Sequence, residues 1–301
     1  ASRCAQGSNL SFPSDYEILS SPNSTNGSDG TWTSRAEIKG NKVSSRMHVV
    51  EIGTDQWVMM RVTSGNGGID ELGIHDASGG ANDTWTFIGT SISSNAFKGS
   101  PPATDFVKLV SEGTKGSNAP AVVKAGIPCI SSTDVSNNIG RYLDFAGGSR
   151  FWAIEMGTND AWGGGTGNVQ TFKNALQKVI DSAKGRGIRV AIARPLATNA
   201  AKMGWQINQA FLTAVDDLTK DNGLDAGPDL YSWFLAHPSE LDDDGVHPNA
   251  AGAASIQRLW AEAMLKTVYS PSSSIDDAGN RRRATDKPGV RAIRSATGLR
   301  I

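Results

Sequence analysis

From residue 83 to residue 269 the chain alternates short apolar runs with stretches whose apolar residues recur at helical spacing, and no other feature restricts its fold as strongly. Apolar runs of four to eight residues separated by amphipathic helices build βαβ units, because a parallel strand pair needs a crossover and a helix is the compact way to make one. Strands are predicted at 85–88, 121–125, 151–156 and 188–193, with a fifth near 230–233. Between them, 169–183 carries Phe172, Leu176, Val179 and Ile180 on one face of a helix, and 205–218 and 250–268 show similar stripes. The expectation is an α/β domain in three layers, α/β/α, over 83–269. In such open sheets a site forms at the carboxyl ends of the strands.

Residues 16–82 read differently. Met47-His48-Val49-Val50-Glu51-Ile52 and Gln56-Trp57-Val58-Met59-Met60-Arg61-Val62 are rich in β-branched and large side chains and are separated by Gly, Asn, Ser and Asp. This predicts a small β-sandwich-like segment between an amino-terminal tail, 1–15, and the α/β domain. Residues 270–301 open on Pro271-Ser272-Ser273-Ser274 and carry seven Arg and Lys against three Asp, as a solvated tail or a contact to an acidic polymer or a neighbouring subunit would.

With a net charge of −1 over 301 residues, the chain has no cationic excess to draw it to nucleic acid or anionic lipid. No apolar run approaches the roughly 20 residues that span a bilayer. The 34 glycines, among many Ser, Asn and Thr, suggest a secreted or extracellular protein, and a start at Ala1 without Met suggests processing or trimming. Cys4 and Cys129 either pair in an oxidising compartment, or Cys129 packs as a small apolar residue and Cys4 is a tail thiol. His48, His75 and His237 show no metal-ligand spacing, so no metal or cofactor is expected.

Chemistry concentrates in three segments. Asp244-Gly245-Val246-His247-Pro248-Asn249 precedes the last helical stripe. Asp and His three apart on a turn bring a carboxylate to the imidazole Nδ1–H and leave Nε2 to take a proton, although the same residues also read as a turn with Asn249 as helix cap. Phe87-Ile88-Gly89-Thr90-Ser91-Ile92-Ser93 sets Ser91 just past the first α/β strand, where a turn exposes a hydroxyl; Ser93 and Ser94 are rival nucleophiles, and a simple turn or cap is the alternative. Glu155-Met156-Gly157-Thr158-Asn159-Asp160 ends the third strand, where the Asn159 amide is available to a developing oxyanion or merely makes an Asn-Asp turn.

In this order along the chain, the three segments resemble the SGNH, or GDSL-like, hydrolase family over about residues 83–268. The resemblance implies a flavodoxin-like α/β/α domain and metal-free hydrolysis of esters, thioesters or acylated glycans. It gives Ser91 as nucleophile, Asp244 and His247 as the base pair, and Asn159 as an oxyanion donor. Two departures stand out. Thr90 occupies the place of the family's usual Asp before the serine. Where the family has an oxyanion glycine this chain reads Lys124-Ala125-Gly126-Ile127-Pro128-Cys129, so the backbone donor is Gly126 or Cys129. The upstream segment is more loosely similar to the β-sandwich of some secreted SGNH esterases, through Trp57-Val58-x-x-Arg61-Val62, Ile69-Asp70-Glu71-Leu72 and Asp83-Thr84-Trp85.

These features lead to an expected serine esterase for short acyl groups, acetyl above all, on a small molecule or glycan. Trp162, ahead of Gly163-Gly164-Gly165, is either a stacking surface for a sugar or a ring packed beneath a glycine loop. Two alternatives stay open: a binding or structural component of a surface or virion assembly with a silenced site, and a lipase or thioesterase.

Overall fold

The computed structural model describes residues 12–43, 46–66, 68–69, 72, 74, 83–97, 105–146 and 148–270. Cys4, His75 and the basic segment from 271 lie outside the described residues. The chain divides into two units. One is made mainly of 7–44 and 48–72, and the other mainly of 73–273.

The first unit contains strands β1 (Pro13–Ser21), β2 (Thr33–Ile38) and β3 (Trp57–Gly65) in one antiparallel sheet of order β2-β1-β3. Tyr16, Ile18 and Ile38 form its small buried cluster. Arg61 on β3 pairs across the sheet with Glu17 on β1, which are directly opposed in register. The run 47–52 forms no strand. His48 instead meets the Tyr16 hydroxyl through Nε2 at 2.8 Å.

The second unit holds β4 (Thr84–Gly89), α1 (Ser91–Ala96), α2 (Phe106–Gly113), β5 (Ala121–Gly126), α3 (Ser132–Asn137), α4 (Ile139–Ala146) and β6 (Phe151–Glu155). It continues with α5 (Val169–Lys184), β7 (Arg189–Arg194), α6 (Ala200–Met203), α7 (Gln209–Asp221), β8 (Asp225–Asp229), α8 (Leu230–Ala236) and α9 (Ala250–Thr267). The strands form a parallel sheet in the order β5-β4-β6-β7-β8. Every residue of β4 and β6 is buried, which is why these strands read as predominantly apolar runs, with Thr84, Thr86 and Glu155 as their buried polar positions. The chain steps from β4 outward to β5, then returns across β4 to β6 and continues in that direction. Right-handed crossovers therefore put α1 and α2 on one face and α3, α4, α5 and α7 on the other, with α9 returning against α1 and α2. This is the flavodoxin-like arrangement expected from the sequence. The core between the layers includes Trp85, Phe87, Trp152, Phe172, Phe211 and Trp260.

One predicted strand moves. Residues 230–233 begin helix α8, and the fifth strand is the polar segment Asp-Ala-Gly-Pro-Asp just before them. As an edge strand it tolerates Pro228, and Asp229 at its end accepts from the Ser232 N–H, capping α8.

Candidate functional site

A sheet whose order reverses at one strand opens a crevice beyond that strand's carboxyl end. Here the reversal lies at β4, between β5 and β6, and Ser91 is the first residue after the turn that closes β4. Thr90 caps α1, its side chain accepting from the Ile92 N–H. The turn sits close to the sheet because Gly89 and Gly126, paired across β4 and β5, have no side chains. A Cβ on Gly126 would lie 2.4 Å from the Ser94 backbone nitrogen, and one on Gly89 would lie 2.1 Å from Ser93 Oγ. Gly126 is thus a packing point beneath α1.

The loop before α9 meets this turn from 156 residues away in sequence. His247 Nε2 stands 2.8 Å from Ser91 Oγ, and Nδ1 stands 2.5 Å from Asp244 Oδ2. Asp244 Oδ1 also accepts from the backbone N–H groups of Val246 and His247. Burial pushes the Asp244 carboxyl up, but the His247 ring and these two N–H groups outweigh that and hold it below the ordinary aspartate range. It is therefore ionised at neutral pH and accepts from Nδ1–H, leaving the Nε2 lone pair to Ser91. Asn249 simultaneously caps α9, accepting from Ala251 and Gly252, so the hexapeptide holds both a helix cap and an Asp244–His247 contact. Of the rival serines, Ser93 turns away into the core and donates to Glu155 at 3.0 Å.

Asn159 follows β6, the strand beside β4. Its Nδ2 donates to the Ile130 carbonyl at 2.8 Å, which uses one of the two amide hydrogens and fixes the side chain against the 127–131 loop. The neighbouring Asp160 carboxyl accepts from both the N–H and the hydroxyl of Ser132, tying the same loop to the end of β6. Burial pushes the Asp160 carboxyl up against the pull of those bonds. Cys129 lies in the tethered loop with φ of 67°. Trp162 is 45% exposed, with its ring centroid 5.2 Å from that of Trp205. Of the other described histidines, His237 stacks on Trp233 and His48 meets Tyr16, as recorded above. Among the described residues no group of three or more His, Cys, Asp or Glu is arranged to hold a metal ion, and no helix is long and apolar enough to cross a membrane.

Glu155 was not assigned a role from the sequence. It is the last residue of β6, 1% exposed, and its Oε2 accepts from the hydroxyls of Thr90 and Ser93. Its Oε1 is buried without a hydrogen-bond partner. Burial raises its carboxyl to about 7 despite the bonds from Ser93 and Thr90. The folded protein therefore holds this proton more tightly than the unfolded chain. Stability is greatest below pH 4.5 on this account and is lost as the pH rises through about 7, by roughly 3 kcal/mol. Glu155→Gln removes the titration, so unfolding midpoints measured in denaturant from pH 4.5 to 8 should vary less steeply than those of the wild type. A variant with the same slope would show that Glu155 does not titrate in this window.

No family model matches the chain, and no curated protein matches it. Solved structures do align with it. A lipase/acylhydrolase from Enterococcus faecalis is 19% identical, covering 60% of this chain and 94% of its own, with a TM-score of 0.48. The acetyl xylan esterase AlAXEase is 22% identical, covering 61% and 98%, with a TM-score of 0.47. A variant of an acetyl xylan esterase from Geobacillus stearothermophilus is 18% identical, covering 62% and 95%, also with a TM-score of 0.47.

Proposed function

We propose that this protein is a serine esterase that hydrolyses short-chain acyl esters, acetyl foremost, on a small-molecule or glycan substrate. The observation that carries the reading is the unbroken chain of contacts from Ser91 Oγ to His247 Nε2 and from Nδ1 to an ionised Asp244. A serine hydroxyl is a weak nucleophile unless a base takes its proton as it attacks, and an imidazole with an anion at its far nitrogen is suited to that.

In this reading His247 Nε2 removes the Ser91 proton while Oγ bonds to the ester carbonyl carbon. The electron pair of the C=O moves onto oxygen, which receives the second N–H of Asn159, the Ser91 N–H and a backbone N–H of the 126–129 loop. Cys129 is our choice for the last, since Gly126 is committed to packing under α1 and Asn159 is fixed to the loop that carries Cys129. Collapse breaks the C–O bond, and His247 protonates the departing alcohol. Water then repeats the sequence on the acyl-serine, with His247 taking its proton, and releases the acid. Trp162 offers a partly exposed indole face three residues beyond Asn159, a suitable stacking surface for a sugar ring.

Two measurements test this. On p-nitrophenyl esters of increasing acyl length, turnover should be highest at acetate and fall beyond butyrate; a maximum at longer chains would favour a lipase or thioesterase. Asn159→Ala should lower kcat by about 10²–10³-fold with little change in KM, because the amide acts on charge that appears only in the transition state. An unaltered kcat would remove Asn159 from the oxyanion site.

A further inference from the structure

We infer that Glu155 is a positioning residue that clamps the nucleophile turn to the strand carrying the oxyanion donor; this rests on the esterase reading. The two residues that donate to Glu155 Oε2, Thr90 and Ser93, lie on either side of Ser91. The Thr90 backbone N–H also points at the same oxygen, at 3.4 Å. These donors converge on one atom over a glycine. Gly89 is opposite Glu155 in the β4–β6 register, and any side chain there would collide with Ser93 Oγ and the Glu155 carbonyl. Four residues past Glu155 the same chain reaches Asn159. Through this contact, the end of β6 sets both where Ser91 stands and where the Asn159 amide stands.

The clamp has a cost that packing alone does not explain. A buried carboxyl at the end of an otherwise apolar strand, with one oxygen lacking any partner, is a less stable choice than an aliphatic side chain of similar volume. Thr90 completes the arrangement. A second carboxylate at 90 would face Glu155, whereas a threonine hydroxyl donates to it and still accepts from the Ile92 N–H to cap α1. The acceptor that fastens this turn is thus supplied from the neighbouring strand. Glu155 has no hydrogen bond with Ser91 Oγ or with His247, so it acts only through the placement of the turn.

The test is steady-state kinetics on p-nitrophenyl acetate at pH 8, with fluorophosphonate labelling rates and thermal unfolding, for the wild type, Glu155→Leu and Glu155→Gln. Leucine keeps the volume and removes the acceptor. It should lower kcat and the labelling rate by about 10–100-fold, with KM within about twofold, while the protein unfolds within a few degrees of the wild type. Glutamine restores an acceptor oxygen and should recover to within about threefold of the wild-type kcat. A folded Glu155→Leu protein with wild-type kcat overturns the proposal, and so does a Glu155→Gln protein as impaired as the leucine variant. Should the leucine variant fail to fold, Ser93→Ala reads the clamp from the donor side. It should lose several-fold in kcat at unchanged KM, and no loss overturns the proposal. A wild type inert to both ester and probe would instead overturn the esterase reading itself, a result distinct from an active wild type with unaffected variants.

Discussion

Ser91→Ala should abolish esterase turnover, lowering kcat by at least about 10³-fold, while leaving the unfolding temperature nearly unchanged. The size of the effect follows from the chemistry: no covalent acyl intermediate forms without Oγ, and what remains is the polarisation of the carbonyl by the oxyanion donors acting on water. The small effect on stability follows from the structure. Thr90, not Ser91, caps α1, and the buried hydroxyl beneath the turn belongs to Ser93. Full activity in purified Ser91→Ala would exclude Ser91 as the nucleophile, and a large fall in melting temperature would make it a structural residue.

His247→Ala should cost about as much as Ser91→Ala, and the double variant should be no worse than either. In the proposed mechanism Ser91 and His247, which share a hydrogen bond, act as one unit, so removing the second member from a site that has lost the first removes nothing further. Independent contributions would multiply instead, and a double variant slower than both singles by the product of their losses would show that the two residues do not share a step. KM should move little in all three, because neither side chain is needed to hold a ground-state ester. Kinetics of the three variants on p-nitrophenyl acetate, measured at enzyme concentrations high enough to detect residual turnover, decide between the two patterns.

The sequence made the central sheet legible because its inner strands are buried on both faces. Thr84–Gly89 and Phe151–Glu155 have no exposed position at which a polar residue would break the run. The fifth strand was displaced for the opposite reason. Asp225–Asp229 lies at the sheet edge, where Gly227 and Pro228 are tolerated, and the apolar residues that looked like a strand are the buried face of α8. The run at 47–52 misled similarly, since β-branched residues mark extended backbone without marking a partner strand.

Ser91, Asn159 and the Asp244/His247 pair stood out as candidates because each stands beside a strand end or a helix start, and those punctuation points can be read from local sequence. The contact between Ser91 and His247 was not legible, because 156 residues separate them and only the sheet order brings them together. Glu155 left no signal of its kind. A single carboxylate inside an apolar run has no spacing that announces it, and its partners Thr90 and Ser93 read as ordinary turn residues until the register of β4 against β6 sets them opposite it. The packing role of Gly126 was hidden in the same way, since what excludes a side chain there is the Ser94 backbone from another segment.

The central claim, that Ser91 is a nucleophile activated by His247, is tested most directly by labelling the purified protein with a fluorophosphonate and mapping the adduct by peptide mass spectrometry. The account predicts one phosphonylated residue, Ser91, with labelling lost in His247→Ala. An adduct on Ser93 or Ser94, or no adduct on a folded protein, would contradict it.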